Sequence, residues 1–125
     1  MTQLGHESSA MLKAVEAIRA AKRMVAFTGA GISVESGIPP FRGPGGLWEK
    51  YDPETLDIDH FLANPERAWV KIKEIFYDFF GNAEPNLAHR ALTQLEKEGK
   101  LGCVITQNID NLHQLSGSSY VIEFH

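Results

Sequence analysis

The stretch Met24–Arg42, "MVAFTGAGISVESGIPPFR", decides the fold. Its first five residues form a short apolar run that stops at glycine, the pattern of a strand buried on both faces of a parallel sheet. Gly29 and Gly31 then permit a tight turn and bring backbone N–H groups close to an anionic ligand, with a helix start near Ser33 adding its positive dipole end. Val34 stands where the third glycine of G-x-G-x-x-G would stand, and no acidic residue ends a second strand at the customary distance. The ordinary hydride-transfer fingerprint is therefore not met, and a plain glycine-rich turn stays open as the alternative reading. The connection "VESGIPPFRGPGGLW" is too long and too rich in Gly and Pro for a simple link. It reads as a ligand-covering loop, with Phe41 as an aromatic wall and Arg42 as its charged group.

Outward from this stretch, helix and strand signals alternate. Met11, Val15 and Ile18, with Leu12 beside them, recur at helical spacing between Ser9 and Arg23. Asn64 followed by Pro65 and Glu66 predicts a helix start, and Ala68, Trp69, Ile72, Ile75, Phe76 and Phe79 keep one face apolar up to Gly81. A further helix is expected from Asn86 to Gly99, where glycine can take the left-handed terminating conformation. "CVIT" (Cys103–Thr106) and "YVIEF" (Tyr120–Phe124) read as a second and a third strand. The alternation predicts an α/β fold with a Rossmann-type parallel sheet and flanking helices. In such sheets ligands bind beyond the carboxyl ends of the strands, so "GAGIS", "QNID" and His125 converge on one crevice.

Composition narrows the class. At 125 residues the chain is one domain or part of one, and 43% hydrophobic with 22% charged residues is ordinary globular composition. A net charge of −4 without a block of Lys and Arg argues against binding a phosphate backbone, so nucleic acid is not an expected partner. "MTQLGHESSAML" is too polar for a signal peptide, and no apolar run is long enough to span a membrane, which makes the cytoplasm the expected location. The single Cys103 can form neither an internal disulfide nor a zinc-binding cluster, and reads as a buried strand thiol.

Taken together and in order, "GAGISVESGIPPFRG", "LWEKYDP", "TQNIDNLHQLSG" and "VIEFH" resemble the sirtuin family of NAD-dependent protein lysine deacylases. The resemblance runs from the first strand to the last residue and matches the N-terminal part of that family's catalytic domain. It implies NAD as a co-substrate that is cleaved, with Gly29, Ala30, Gly31, Ile32 and Ser33 around its phosphates and ribose. Pro39, Phe41 and Arg42 fall on the family's cofactor-binding loop. Gln107, Asn108, Ile109 and Asp110 fall on the pocket for nicotinamide and its ribose, Asp110 receiving the carboxamide. His125 falls on the catalytic base, and Asn108 is counted with it as catalytic. The chemistry suits these residue types: an amide oxygen is a poor nucleophile and needs an activated ribose held in line, and a neutral imidazole can then take a proton from a ribose hydroxyl. The implied products are free lysine, nicotinamide and acylated ADP-ribose, from an acetyl-lysine protein or peptide.

Read without the resemblance, Asn108 and Asp110 would cap the next helix, His113 is structural, and Trp69, Phe76, Phe79 and Phe80 are core; His6, His60 and His89 show no partner pattern. The expected organisation is a helix over 1–23, a strand and cofactor loop over 24–60, a helical segment over 61–100, and strands with "QNID" and His125 over 101–125. The family's full domain carries zinc on four cysteines beyond the catalytic histidine, so the chain is expected to be truncated before the zinc module and the remaining strands. The resemblance leaves the activity unassigned to these 125 residues on their own. A non-catalytic NAD- or ADP-ribose-binding module and ADP-ribosyl transfer remain as alternatives, and an exposed sheet edge invites self-association or a second chain. At the two positions where the family's acidic-acyl enzymes carry Tyr and Arg, this chain has Ile72 and Ile75, which favours removal of acetyl or another apolar acyl group.

Overall fold

The computed structural model describes residues 3–125. Helix α1 (Gln3–Ala20) leads into β1 (Met24–Thr28), a 3-10 helix (Ala30–Ser36) and the loop ahead of α2 (Leu47–Lys50). A 3-10 turn (Pro53–Leu56), α3 (Ile58–Ala63) and α4 (Pro65–Lys73) follow, and a π-helical turn (Glu74–Asp78) continues α4. Then come α5 (Leu87–Lys97), β2 (Leu101–Thr106), α6 (Leu112–Ser116) and β3 (Val121–Glu123). The strands form a three-stranded parallel sheet in the order β1-β2-β3. Phe27 pairs with Ile105, and Ile105 with Ile122, so all three carboxyl ends lie on one edge of the molecule.

Alternation of side chains along each strand gives the sheet two unlike faces. Val104 and Thr106 are buried on the side where α5 packs. Val25 and Phe27 are 60% and 62% exposed on the other side, where Phe27 meets Phe124 edge-on with ring centroids 6.2 Å apart. β1 is thus covered on one face, not two, because no helix of the described residues packs over the second. Cys103 is half-buried for the same reason. Likewise Met11 and Leu12 on α1 remain exposed, at 69% and 61%.

The expected single helix from Pro65 to Gly81 is interrupted. Pro65 does occupy the first turn, but the Asn64 side chain makes no capping bond, and regular α-helix gives way at Glu74 to the π turn. That turn delivers Ile75 into a core with Leu47 and Tyr51, ringed by Phe41, Trp48, Phe76 and Phe79. Trp69, read as core, is instead 57% exposed and meets Phe61 edge-on. The core therefore sits beneath the loop that precedes α2, and fixes that loop. Gly46 is needed there, since a Cβ would fall 2.9 Å from the carbonyl oxygens of Phe41 and Gly43.

α5 begins with the best-formed cap in the chain. Asn86 accepts from the N–H groups of Ala88 and His89, while His89 Nδ1 accepts from the Asn86 N–H, a capping box with histidine in the place of Glu or Gln. The same Asn86 donates through Nδ2 to the Ile32 carbonyl at 2.7 Å and to Ser36 Oγ at 3.0 Å, tying the helix to the glycine loop. Asn86→Ala is expected to cost about 2 kcal/mol, one for the cap and the rest for the tertiary bonds, read as a lower urea midpoint at unchanged slope. A loss under about 0.5 kcal/mol would contradict the cap's role.

Candidate active site

The glycine loop has a different logic from the one its sequence suggests. Gly29 is extended (φ −144°), Gly31 is not among the positive-φ residues, and the helix that follows begins at Ala30 as a 3-10 turn, not near Ser33. Neither glycine is required by a left-handed backbone. A Cβ on Gly31 would meet nothing within 4 Å, and one on Gly29 only the Gln107 amide nitrogen at 3.9 Å. Their missing side chains leave open the space just above β1, the place where a backbone-hugging anionic ligand fits.

Beside that opening lies a pocket with walls from three parts of the chain. Ala30 and Ser33 come from the 3-10 helix, and Pro39 and Phe41, with Ile38 and Leu47, from the covering loop. Gln107, Asn108, Ile109 and Asp110 come from the segment after β2, and Phe80 closes it from the end of the helical segment. Of the residues singled out from the sequence, the pocket gathers Ala30, Ser33, Pro39, Phe41, Gln107, Asn108, Ile109 and Asp110. Gly29 and Gly31 flank the lining residue Ala30 without lining the pocket themselves, Gly29 being tied to it through its carbonyl and Asn108, and Ile32 is engaged through its carbonyl with Asn86. Arg42 stands apart, exposed in a separate shallow groove with Phe41 and Trp48. His125 is exposed after β3, its ring 6.2 Å from that of Phe124, and does not line the pocket.

The pocket floor is a hydrogen-bonded polar cluster. Ser33 Oγ, buried, donates to Asp110 Oδ2 at 2.6 Å, and Asp110 Oδ1 accepts from the Leu112 N–H at 3.0 Å. Asn108 Nδ2 donates to the Gly29 carbonyl at 2.9 Å and to Ser33 Oγ at 3.3 Å. The two loops, 76 residues apart in sequence from Ser33 to Ile109, are thereby locked together at the carboxyl ends of β1 and β2. Neither Asn108 nor Asp110 caps α6 in the strict sense: Asn111 holds the N-cap position without a side-chain bond, Asp110 one residue earlier accepts from the Leu112 N–H, and Asn108 is engaged with Gly29 and Ser33 instead.

Below the floor lie two histidines that sequence reasoning did not connect. His89 and His113 are fully buried and meet edge-on with ring centroids 5.0 Å apart. With the Ser33 proton given to Asp110, His89 Nε2 is the donor in its long 3.5 Å contact with Ser33 Oγ, consistent with Nδ1 accepting from Asn86. The readable signal was the Asn-x-x-His spacing of Asn86 and His89, a capping box in disguise. Burial lowers the pKa of both rings; His89 lowers that of His113 further, and Asp110 opposes the shift in each. Because the folded values lie below 6.5, the unfolded chain binds protons first. The stability held by these neutral rings is complete above about pH 6.5 and is lost as pH falls from there toward the folded values. The urea midpoint should fall between pH 7.5 and 5.0, and fall less in His113→Gln; equal pH dependence in both proteins would contradict this.

A parallel α/β sheet with a glycine loop after its first strand and, at the strand ends, an apolar-walled pocket over a polar floor has the form of the nucleotide-binding domains. Comparison with known proteins sharpens that class: the Sir2 family profile matches residues 29–125. The chain is 52% identical over 113 residues to an NAD-dependent protein deacetylase of Caldivirga maquilingensis, covering 90% of this chain and 44% of that protein. It is 53% identical over 114 residues to NAD-dependent protein deacylase 2 of Archaeoglobus fulgidus, again 90% and 44%. Among solved structures, a mutant Sir2 homologue bound to ADP ribose superposes with a TM-score of 0.83 at 46% identity, over 90% of this chain and 45% of that one. A Sir2–p53 peptide–NAD+ structure gives 0.80 at 44% identity, over 92% and 45%. The chain belongs to the Sir2 family and spans under half the length of these relatives. The Rossmann-type fold read from its sequence is the one these structures share.

Proposed function

We propose that the chain is the N-terminal, NAD-binding part of an NAD-dependent protein lysine deacetylase. The observation that carries this reading is the bonded floor of Ser33, Asn108 and Asp110 in the pocket that Phe41 lines, at the strand ends beside two glycines where a Cβ would be crowded by none of the described residues. NAD, when bound, supplies an electrophilic ribose carbon whose nicotinamide can leave. Asp110 keeps lone pairs on both oxygens for an amide N–H, and Phe41 offers an apolar wall that excludes water. Asn108 has both amide hydrogens committed within the chain, which leaves its Oδ1 as an acceptor for a ribose hydroxyl. His125, beyond β3, is assigned as the base that takes a proton from a ribose hydroxyl, and Arg42 to the phosphates.

The acceptor of this reading is an acetyl-lysine protein or peptide, with the acetyl group transferred to ADP-ribose. Apolar acyl groups are favoured because neither position compared with the acidic-acyl enzymes offers a cation: Ile75 is buried in the core, and Ile72 lines an apolar groove with Phe61, Trp69 and Phe76. Among the described residues no three His, Cys, Asp or Glu side chains are placed to hold a metal, and the zinc of the family's full domain would use ligands outside these 125 residues. No helix among them is long and apolar enough to cross a membrane. Exposure of Val25 and Phe27 supports a covering partner for the sheet, either further polypeptide of the same domain or another chain.

Titration of the isotope-labelled chain with NAD tests the binding half of the proposal. Amide signals of Ala30, Ser33, Asn108 and Asp110 should move together along one saturating curve. Saturable shifts confined to other residues, or none at millimolar NAD, would overturn it.

A further inference from the structure

His113 lines no part of the pocket, yet it is held by more than packing. Its ring is 1% exposed, its Nε2 lies 2.8 Å from Thr28 Oγ1, and its Nδ1 is buried with no partner among the described residues. Thr28 Oγ1 donates its one proton to Thr106 Oγ1 at 2.8 Å. Thr28 must then accept from the ring, which makes His113 the neutral Nε2–H form with a bare lone pair on Nδ1. The Thr106 hydroxyl oxygen in turn accepts from the Asn108 backbone N–H at 3.1 Å. A continuous line thus runs from α6, through the last residues of β1 and β2, to the backbone of Asn108, whose side chain binds Gly29 and Ser33. His89 of α5 meets the ring edge-on, and Asp110 is the nearby charge.

An apolar ring of similar size would fill this space without burying an unpaired nitrogen, a cost that packing does not repay. What the histidine adds over such a ring is one donor, aimed at Thr28. We propose that His113 is a positioning residue: through Thr28 and Thr106 it sets the backbone of Asn108, and with it the acceptor that Asn108 presents to the ribose. The positioning rests on the observed bonds, and its consequence for turnover rests on the deacetylase reading above.

Three variants test it: His113→Phe and Thr28→Val, which break the line, and His113→Gln, whose amide can donate along it. Amide hydrogen exchange in the 125-residue chain is the first readout. Exchange at Asn108 should quicken about 3- to 10-fold in the first two, the worth of one neutral hydrogen bond, while β2 amides outside the line keep their protection; Gln should restore it. Should His113→Phe fail to fold, Thr28→Val carries the same comparison. The second readout uses the chain continued by the C-terminal portion of the Caldivirga relative. There kcat for nicotinamide release should fall about 10- to 100-fold in Thr28→Val, with KM for NAD within about twofold, the pattern of a misplaced group. Unchanged Asn108 exchange in Thr28→Val, or no rescue by Gln, would overturn the positioning role whatever the activity. A silent wild-type chimera alongside altered exchange would instead sink the deacetylase reading and leave the relay standing.

Discussion

Replacing His125 by alanine in the chain completed by the relative's C-terminal portion is expected to slow formation of deacetylated peptide by about 10²- to 10⁴-fold, the usual worth of a general base. The geometry behind this is the sheet edge. The Phe124 N–H bonds the Thr106 carbonyl at 3.0 Å, so His125 emerges beside the segment that carries Gln107 and Asn108. In the chain itself the ring is exposed and outside the pocket, so the proposed role requires it to reach the ribose across that edge. A base acting on a ribose hydroxyl after nicotinamide has left should affect peptide deacetylation more than nicotinamide release. Rapid quench with the acetyl-lysine peptide separates the two steps. A drop below about threefold in deacetylation, in a variant that still binds NAD, would remove His125 from the mechanism.

Ile75→Ala should be the most destabilising single change, at about 2–5 kcal/mol, comparable to much of the stability of a small domain. Ile75 is fully buried, and it reaches the core through the π turn, against Leu47 and Tyr51. Both partners lie at or just after the end of the covering loop, so the cavity would loosen Phe41 as well as the helix. The change should show as a lower urea midpoint and as weaker NAD binding in protein that remains folded. Ile75→Val, which removes one methylene, should cost only about 1 kcal/mol. If both substitutions cost the same, the side chain is not packed as described.

The strands and their parallel pairing were legible because "MVAFT", "CVIT" and "YVIEF" are short apolar runs bounded by turn residues, and because helical patterns separate them. Asn108 and Asp110 were legible through their place after a strand. Three features were not. The open face of β1 escaped because an apolar run reads the same whether or not its second face is covered. The π turn escaped because Ile72, Ile75, Phe76 and Phe79 fit a helical stripe, and only tertiary packing selects the extra residue. His89 escaped because its partners, Asn86 apart, come from Ser33 and His113, which periodicity along a single helix does not reveal. Trp69 shows the limit of the apolar stripe itself, which outruns the surface available to cover it and leaves this ring 57% exposed.

The most direct test of the central claim is a stoichiometry: nicotinamide released and peptide deacetylated, counted together, when the completed domain is given NAD and an acetyl-lysine peptide. The account predicts one nicotinamide per lysine freed, with both lost in Asn108→Ala. Lysine freed without nicotinamide, or NAD converted to its reduced form, would contradict it.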